Sequence, residues 1–322
     1  MTELEQKILD TIQDAFPLEE RPYRALADLF NAQVGSVTEQ QVFDAVEGLR
    51  KSGVIRRIGG VYDSKALGFI SRLCAGRVPT VATGAANDCA LEKFAAAVNE
   101  IPAITHNYVR SHEYNVWFTV IAQSEEEIQK IVDDVCAKTD LHDVHVLSVT
   151  RKFKIDTVMT RGPRDTSLRA KRNDAPSTSI LLDSDRTRIR VACTDIPHTL
   201  TPFKDWGIAV DELREDVAQR RMRRFGAILR HQDAGFAYNA MICFNAPSEA
   251  GDVLASKPYI SHCYERPAFE GFPYNLYAMM HAQSAETLES FIADAAQSIQ
   301  NPDYAVLHSV KELKKTSFQF FV

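Results

Sequence analysis

Apolar residues recur at helical spacing from the start of the chain: Leu4, Ile8, Leu9 and Ile12 share one face of a helix over residues 4–16. Pro22-Tyr23 opens a second helix through Leu26, Leu29 and Phe30. Gly35-Ser36-Val37-Thr38 is a turn, and Thr38 precedes Gln41 by three residues, the spacing of a capping box. A third helix runs through Val42, Val46 and Leu49 and stops at Gly53. Val54 to Ile58 and Val61-Tyr62 then alternate as a short hairpin would. Residues 1–62 are thus expected to form a winged helix-turn-helix. Residues 63–155 give strand, helix, strand, strand, helix, strand, the ferredoxin-like βαββαβ order, with Val144 to Phe153 closing the unit. Periodicity fails over 156–177, where Gly, Pro, Ser and mixed charges gather as in a linker. Residues 178–230 suggest a degenerate helix-turn-helix interrupted by Pro197 and Pro202, and 231–322 a second ferredoxin-like domain.

The chain repeats itself. His106-Asn107-Tyr108-Val109-Arg110 followed by Tyr114-Asn115-Val116-Trp117 corresponds to His262-Cys263-Tyr264-Glu265-Arg266 followed by Tyr274-Asn275-Leu276-Tyr277. Arg56-Arg57-Ile58-Gly59 corresponds to Arg223-Arg224-Phe225-Gly226, and Tyr114 to Lys154 aligns with Tyr274 to Lys314 without a gap. The period is too long for a solenoid. The fold class expected is α+β, a tandem duplication of a winged helix-turn-helix plus a ferredoxin-like βαββαβ domain, the two halves forming an intramolecular pseudo-dimer.

A net charge of −6 disfavours a general nucleic-acid binder. Residues 1–58 hold seven Lys and Arg against ten Asp and Glu, and the would-be recognition helix carries Glu39, Asp44 and Glu47. Such a helix would meet the phosphates acid-first, so nucleic acid is not an expected partner. No apolar run approaches the ~18 residues of a membrane span. The first residues, MTELEQKILD, carry charge from the start, and six cysteines are scattered without a C-x-x-C pair. Together these suggest a cytoplasmic protein without a structural zinc site.

The candidate chemistry lies in the repeat. On a strand, residues two apart face the same side, so His106, Tyr108 and Arg110 project together, as do His262, Tyr264 and Arg266. Histidine is the proton donor or acceptor poised near neutral pH, and arginine clamps carboxylates. That combination suits a substrate with several carboxylates and at least one proton transfer. The first copy adds His112 and Trp117. The second adds His281 on the strand after a long aromatic loop, Pro267 to Pro273. The arginine pairs Arg56-Arg57 and Arg223-Arg224 recur at the same point of both copies.

THNYVRSHEYNVWFT (105–119), SHCYERPAFEGFPYNLYAMMH (261–281) and GVIRRIGGVYDSKALGF (53–69) resemble the siroheme decarboxylases, Lrp/AsnC-like enzymes that are usually heterodimers and sometimes fused. The resemblance implies loss of CO2 from two acetate side chains of siroheme to give 12,18-didecarboxysiroheme, in alternative haem or haem d1 biosynthesis. It implies no separate cofactor, because the iron belongs to the substrate. On that reading His262 is the leading proton donor and Tyr264 its hydrogen-bonding partner, with His106 and His112 as runners-up. Arg266, Arg223, Arg224, Arg110, Arg56, Arg57, Tyr274, Tyr277, His281 and Trp117 would bind the substrate, in one main pocket of the second half. Aromatic and Met residues near 269–280 would cover the ring face. A haem-responsive Lrp/AsnC-type transcription regulator and a non-catalytic tetrapyrrole carrier share the same features and are the rival expectations. Further homo-oligomerisation is compatible with all three.

Overall fold

A computed structural model describes every residue except 80–87, 157–179, 230–235 and 322. The expected linker therefore lies almost wholly outside the described residues. The first half contains α1 (Glu3–Asp14), α2 (Pro22–Val34), α3 (Glu39–Lys51), β1 (Ile55–Tyr62), β2 (Ile70–Gly76), α4 (Asp88–Asn99), β3 (Ile104–Arg110), β4 (Val116–Ala122), α5 (Glu125–Thr139), β5 (Val144–Leu147) and β6 (Arg151–Ile155). The second contains α6 (Asp183–Ala192), α7 (Pro202–Trp206), α8 (Val210–Ala218), β7 (Met222–Leu229), β8 (Tyr238–Phe244), α9 (Ala250–Ser256), β9 (Ile260–Glu265), β10 (Leu276–Ala282), α10 (Ala285–Ser298) and β11 (Tyr304–Lys315). Local signals start the helices where the sequence places them. Thr38 and Gln41 form the capping box of α3, and Pro22 occupies the first turn of α2. Ser124 and Ser284, equivalent positions of the repeat, cap α5 and α10 by accepting from Glu127 N and Thr287 N.

The chain folds into two compact units, and each unit takes parts from both copies. One unit gathers Met1–Gly68 with the described part of 158–234 and the C-terminal residues; the other gathers Phe69–Thr157 with Gly235–Phe318.

In the helical unit the expected wing hairpin is absent. Residues 55–62 run as one strand, β1, which pairs antiparallel with β7, its own counterpart in the second copy. Gly59 lies opposite Gly226, Ile58 opposite Ala227 and Gly60 opposite Phe225. Because Gly59 and Gly226 are equivalent positions, a local pseudo-twofold axis passes between them. These glycines serve close approach, not a turn. A Cβ on Gly226 would lie 2.5 Å from Ile12 O and 2.9 Å from Gln13 O, and one on Gly59 would strike Thr194 O in the same way. Each strand is thus pressed against the end of the other copy's first helix. Phe16 N donates to Phe225 O (2.8 Å) and Ile196 N to Ile58 O (2.9 Å).

The paired arginines belong to this arrangement. Arg224 Nη1 donates to Gln13 O in the last turn of α1 and to Ala227 O (3.3 Å). Its equivalent, Arg57, donates to Thr194 O just beyond α6 (3.5 Å) and to Gly60 O (3.4 Å). Helix C-termini expose unpaired carbonyls and negative dipole ends, which a cation satisfies. Arg57 and Arg224, expected as carboxylate anchors, have guanidinium groups engaged with helix-end carbonyls. Arg223 donates to Tyr62 O (3.4 Å), and Arg56 sits half-buried in the same unit. Replacing Arg224 by Ala is expected to destabilise the chain by about 1 kcal/mol, measured by denaturant titration.

Among the described residues the sheet unit holds nine strands, in the order β5-β2-β4-β3-β11-β8-β10-β9-β6. The expected closing strand of the first half is split. Val144–Leu147 pairs with β2 in its own half, and after a break Arg151–Ile155 joins β9 of the second half. Reciprocally, β11 pairs with β8 over Tyr304–His308 and continues onto β3 of the first half from Ser309. The halves are therefore joined by continuous backbone hydrogen bonding, which one-residue spacing along the sequence does not reveal. Helices α4 and α5 cover one core (Phe94, Phe118, Ile128, Val132) and α9 and α10 cover another (Leu254, Leu276, Leu288, Ile292). A third core lies on the opposite sheet faces and joins Trp117 and Leu147 to Met241, Phe272, Tyr277 and Leu307.

Candidate active site

The chemistry-bearing residues of the second half begin at an irregularity in β9. Its pairing with β10 steps from Ile260↔Met280 to His262↔Met279, so Ser261 is an extra residue in the strand. Such a bulge re-aims side chains by opposing two residues to one. Ser261 Oγ lies 3.0 Å from His262 Nδ1, 3.3 Å from His281 Nδ1 and 3.2 Å from Met279 O. Beyond the bulge the expected alternation holds. The His262 and Tyr264 rings stack at 6.3 Å and 23°, and the Arg266 guanidinium lies 5.1 Å from the Tyr264 ring and 5.8 Å from that of Tyr277. His262, Tyr264, Arg266 and His281 thus form one continuous polar strip. All but Arg266 are half-buried.

The first half builds the same strip with less in it. The step from Ile104↔Val120 to His106↔Thr119 makes Thr105 the extra residue of β3. Thr105 Oγ1 lies 2.9 Å from His106 Nδ1. Tyr108 faces Trp117 across the strands, and Arg110 lies 5.3 Å from the Tyr108 ring. The slot that holds His281 in the second copy holds Ile121, so among the described residues no second histidine is placed on this strip as His281 is on the other. A hydroxyl residue directly before each histidine is visible in the sequence, yet only the bulge shows that it belongs with the ring.

Arg110 and Arg266 are buried and exchange partners across the repeat. Arg110 Nη1 donates to Leu307 O (3.0 Å), and Arg266 Nη1 donates to Leu147 O (2.9 Å), the equivalent carbonyl of the other half. Burial pushes both guanidinium groups below the ordinary arginine range. Nε of each has no hydrogen-bond partner among the described residues, and neither has the Tyr277 hydroxyl. Unpaired buried donors beside a positive charge favour an anionic, oxygen-rich guest.

Trp117 and the aromatic loop are placed differently from expectation. Trp117 is 1% exposed and donates Nε1 to Tyr114 O (2.7 Å), so it sits in the core. Phe272, at the tip of the 267–273 loop, is fully buried 5.6 Å from the Trp117 ring. Phe269 stacks on His145 at 4.1 Å, and Tyr114 Oη donates to Glu270 O (3.1 Å). The loop seals the junction of the two sheet halves, and Tyr274 packs on it 4.9 Å from Phe272. Tyr277 is almost wholly buried beside it. The asparagines of the repeated Tyr-Asn pair are structural: Asn115 brackets both backbone groups of Val78, and Asn275 those of Ala246.

His112 lies at the turn between β3 and β4 and packs edge-on to Phe272 at 5.1 Å. Its Nδ1 accepts from Tyr114 N (3.1 Å), which fixes the proton of the neutral ring on Nε2. Burial lowers its pKa from the ordinary 6.5. The folded chain therefore binds fewer protons here than the unfolded chain, and stability falls as pH drops through and below 6.5. His112→Phe is expected to remove that part of the slope, read from denaturation midpoints between about pH 5 and 8.

The AsnC-like ligand-binding domain family matches residues 66–154 and 233–314, and the siroheme decarboxylase NirDL-like HTH domain matches residues 5–56. The siroheme decarboxylase of Hydrogenobacter thermophilus is 30% identical over 334 aligned positions, spanning 98% of this chain and 94% of that protein. The chain belongs to the siroheme decarboxylase family. The siroheme decarboxylase alpha subunit of Desulfovibrio desulfuricans is 40% identical over 155 positions, 48% of this chain and 82% of that subunit. The crystal structure of the siroheme decarboxylase NirDL in complex with an iron-uroporphyrin III analogue superposes with a TM-score of 0.67 at 27% identity, covering 99% of this chain and 95% of that one. Membership agrees with the mixed helix-and-sheet fold expected from the repeat. Among the described residues no helix is long and apolar enough to cross a membrane.

Proposed function

We propose that this chain decarboxylates siroheme, converting two ring acetates to methyl groups to give 12,18-didecarboxysiroheme for haem or haem d1 biosynthesis. Each event breaks the bond between the methylene and its carboxylate, releases CO2 and consumes one proton at the methylene carbon. The electron pair left behind is spread over the macrocycle until that proton arrives. His262 donates it from Nε2, and Tyr264, stacked beside it, holds the reacting acetate by a hydrogen bond. Arg266 and Arg110 supply fixed positive charge that keeps the substrate's other carboxylates in place. Iron enters with the substrate, so the reading requires no further cofactor. The protein would work in the cytoplasm on a free tetrapyrrole, its two halves acting as an internal pseudo-dimer, with further self-association open to it.

The observation that carries this reading is the strip itself: a stacked histidine and tyrosine beside a buried arginine whose Nε has no partner among the described residues. Support also comes from the NirDL relative, whose structure holds an iron-uroporphyrin III analogue. The test is anaerobic incubation of the purified chain with siroheme, followed by mass spectrometry of the tetrapyrrole. Loss of two CO2 equivalents is expected. A spectral shift with unchanged mass would replace this reading with that of a carrier.

A further inference from the structure

Arg110 and Arg266 place two positive charges in the interior of the sheet unit. They are 5% and 8% exposed, and among the described residues their hydrogen-bond partners are all neutral. Arg110 meets Leu307 O, Ser309 Oγ and Met279 Sδ, and Arg266 meets Leu147 O and Ser148 O. Tyrosine rings cover the flat faces of the guanidinium groups, Tyr108 at 5.3 Å from Arg110 and Tyr264 at 5.1 Å from Arg266. The Nε donors, which lie in the guanidinium planes, have no partner among the described residues, and neither has the Tyr277 hydroxyl. Burial holds the Tyr277 phenol and the Cys243 thiol far above their ordinary ranges, so both keep their protons and neither serves as a counter-ion.

Buried charge without an opposite charge beside it is costly, and one anion shared by two cations offsets that cost. The two guanidinium groups are placed to share such a partner. Arg110 Nη2 lies 3.8 Å from Met279 Sδ, and the Arg266 guanidinium lies 5.8 Å from the Tyr277 ring. Residues 277 and 279 point to the same face of β10, about 7 Å apart along the strand. Cys243, opposite Tyr277 on β8, feels the charge of both arginines. A carboxylate-shaped anion presents two oxygens in one plane, which matches the edge of a guanidinium group. We infer that Arg110, Arg266 and Tyr277 form a buried site for one small planar oxyanion, of the size of formate or of a single carboxylate group. One arginine comes from each copy of the repeat, so neither half holds the site alone. That the natural guest is a ring carboxylate of the tetrapyrrole rests on the proposed decarboxylation; affinity for a free oxyanion does not.

The test is titration of the full-length chain with carbon-13 formate at constant ionic strength, sodium chloride making up the balance. Formate line width and the thermal unfolding midpoint are followed together. Saturable broadening and a saturable rise of the midpoint are expected. Arg110→Met is expected to weaken formate about 10- to 100-fold, the range for a hydrogen bond to a charged group. Tyr277→Phe is expected to weaken it about 3- to 10-fold, the range for a neutral hydrogen bond. Removing an unpaired buried hydroxyl leaves the fold intact, so Tyr277→Phe keeps the site testable if Arg110→Met does not fold. Absence of saturation, or formate binding indifferent to Tyr277→Phe, overturns the site and leaves the arginines as cross-links between backbone carbonyls. In turnover, formate is expected to raise KM for siroheme at unchanged kcat, which identifies the guest as a substrate carboxylate. Saturable formate binding with KM unmoved supports the site with a free oxyanion as its guest. A chain that binds formate as stated but leaves siroheme unaltered overturns the proposed reaction and not the site. Normal decarboxylation without saturable formate binding does the reverse.

Discussion

Replacing His262 by glutamine is expected to lower kcat for siroheme decarboxylation by about 10²- to 10⁴-fold, the range for losing a positioned proton donor. The glutamine amide keeps a similar volume and can still meet Ser261, so β9 and its bulge should survive. Siroheme binding, followed by its absorbance, is expected to change little, because Arg266 and Arg110 remain in place. An intermediate loss followed by a larger one on adding His281→Gln would show that the two rings share the proton supply. A double variant that turns over normally would remove both from the mechanism. His106→Gln is the internal control. Its ring has the same hydroxyl partner but no second histidine, and its loss is expected to act on KM more than on kcat.

Replacing Trp117 by alanine is expected to destabilise the sheet unit by about 3–5 kcal/mol, the usual range for emptying a buried tryptophan site. The indole sits between Phe272 at 5.6 Å and Tyr277 at 6.3 Å, and is sealed from water. Its removal opens a cavity where the two halves of the sheet meet and leaves Tyr114 O without its Nε1 donor. Trp117→Phe should cost less, since the ring contacts persist and only the hydrogen bond and part of the volume are lost. Denaturant titration distinguishes this role from a substrate contact. If Trp117→Ala raised KM for siroheme while leaving the unfolding midpoint where it was, the core assignment would fall.

Much of the molecule is legible in its residues. The capping box of α3, the two βαββαβ orders and the repeat all follow from local spacing and from comparison of the chain with itself. So does the placing of His262, Tyr264 and Arg266 on one side of a strand, because side chains alternate with period two. Four features escape that reasoning. The arginine pairs look like anion anchors, yet Arg57 and Arg224 meet carbonyls at the ends of helices that are distant in sequence. Gly59-Gly60 looks like a hairpin turn, yet it lies within one strand pressed against a helix end. Trp117 resembles an accessible aromatic of the candidate site but is fully enclosed. Ser261 passes unnoticed, since strict alternation would send it to the opposite face from His262.

The sequence by itself determined the duplication, the fold class of each half, and which residue types stand at equivalent places, including the replacement of His281 by Ile121. These depend on interactions within a few residues, or on the internal copy that serves as a reference. The tertiary structure alone decided the exchange of β6 and β11 between halves, the pairing of β1 with β7, the crossing of Arg110 to Leu307 and Arg266 to Leu147, and the convergence of two imidazoles on one hydroxyl. Each of these joins groups far apart along the chain. Their partners are set by which surfaces bury together, and an extra residue in a strand changes the direction of a side chain without changing the pattern of residues around it.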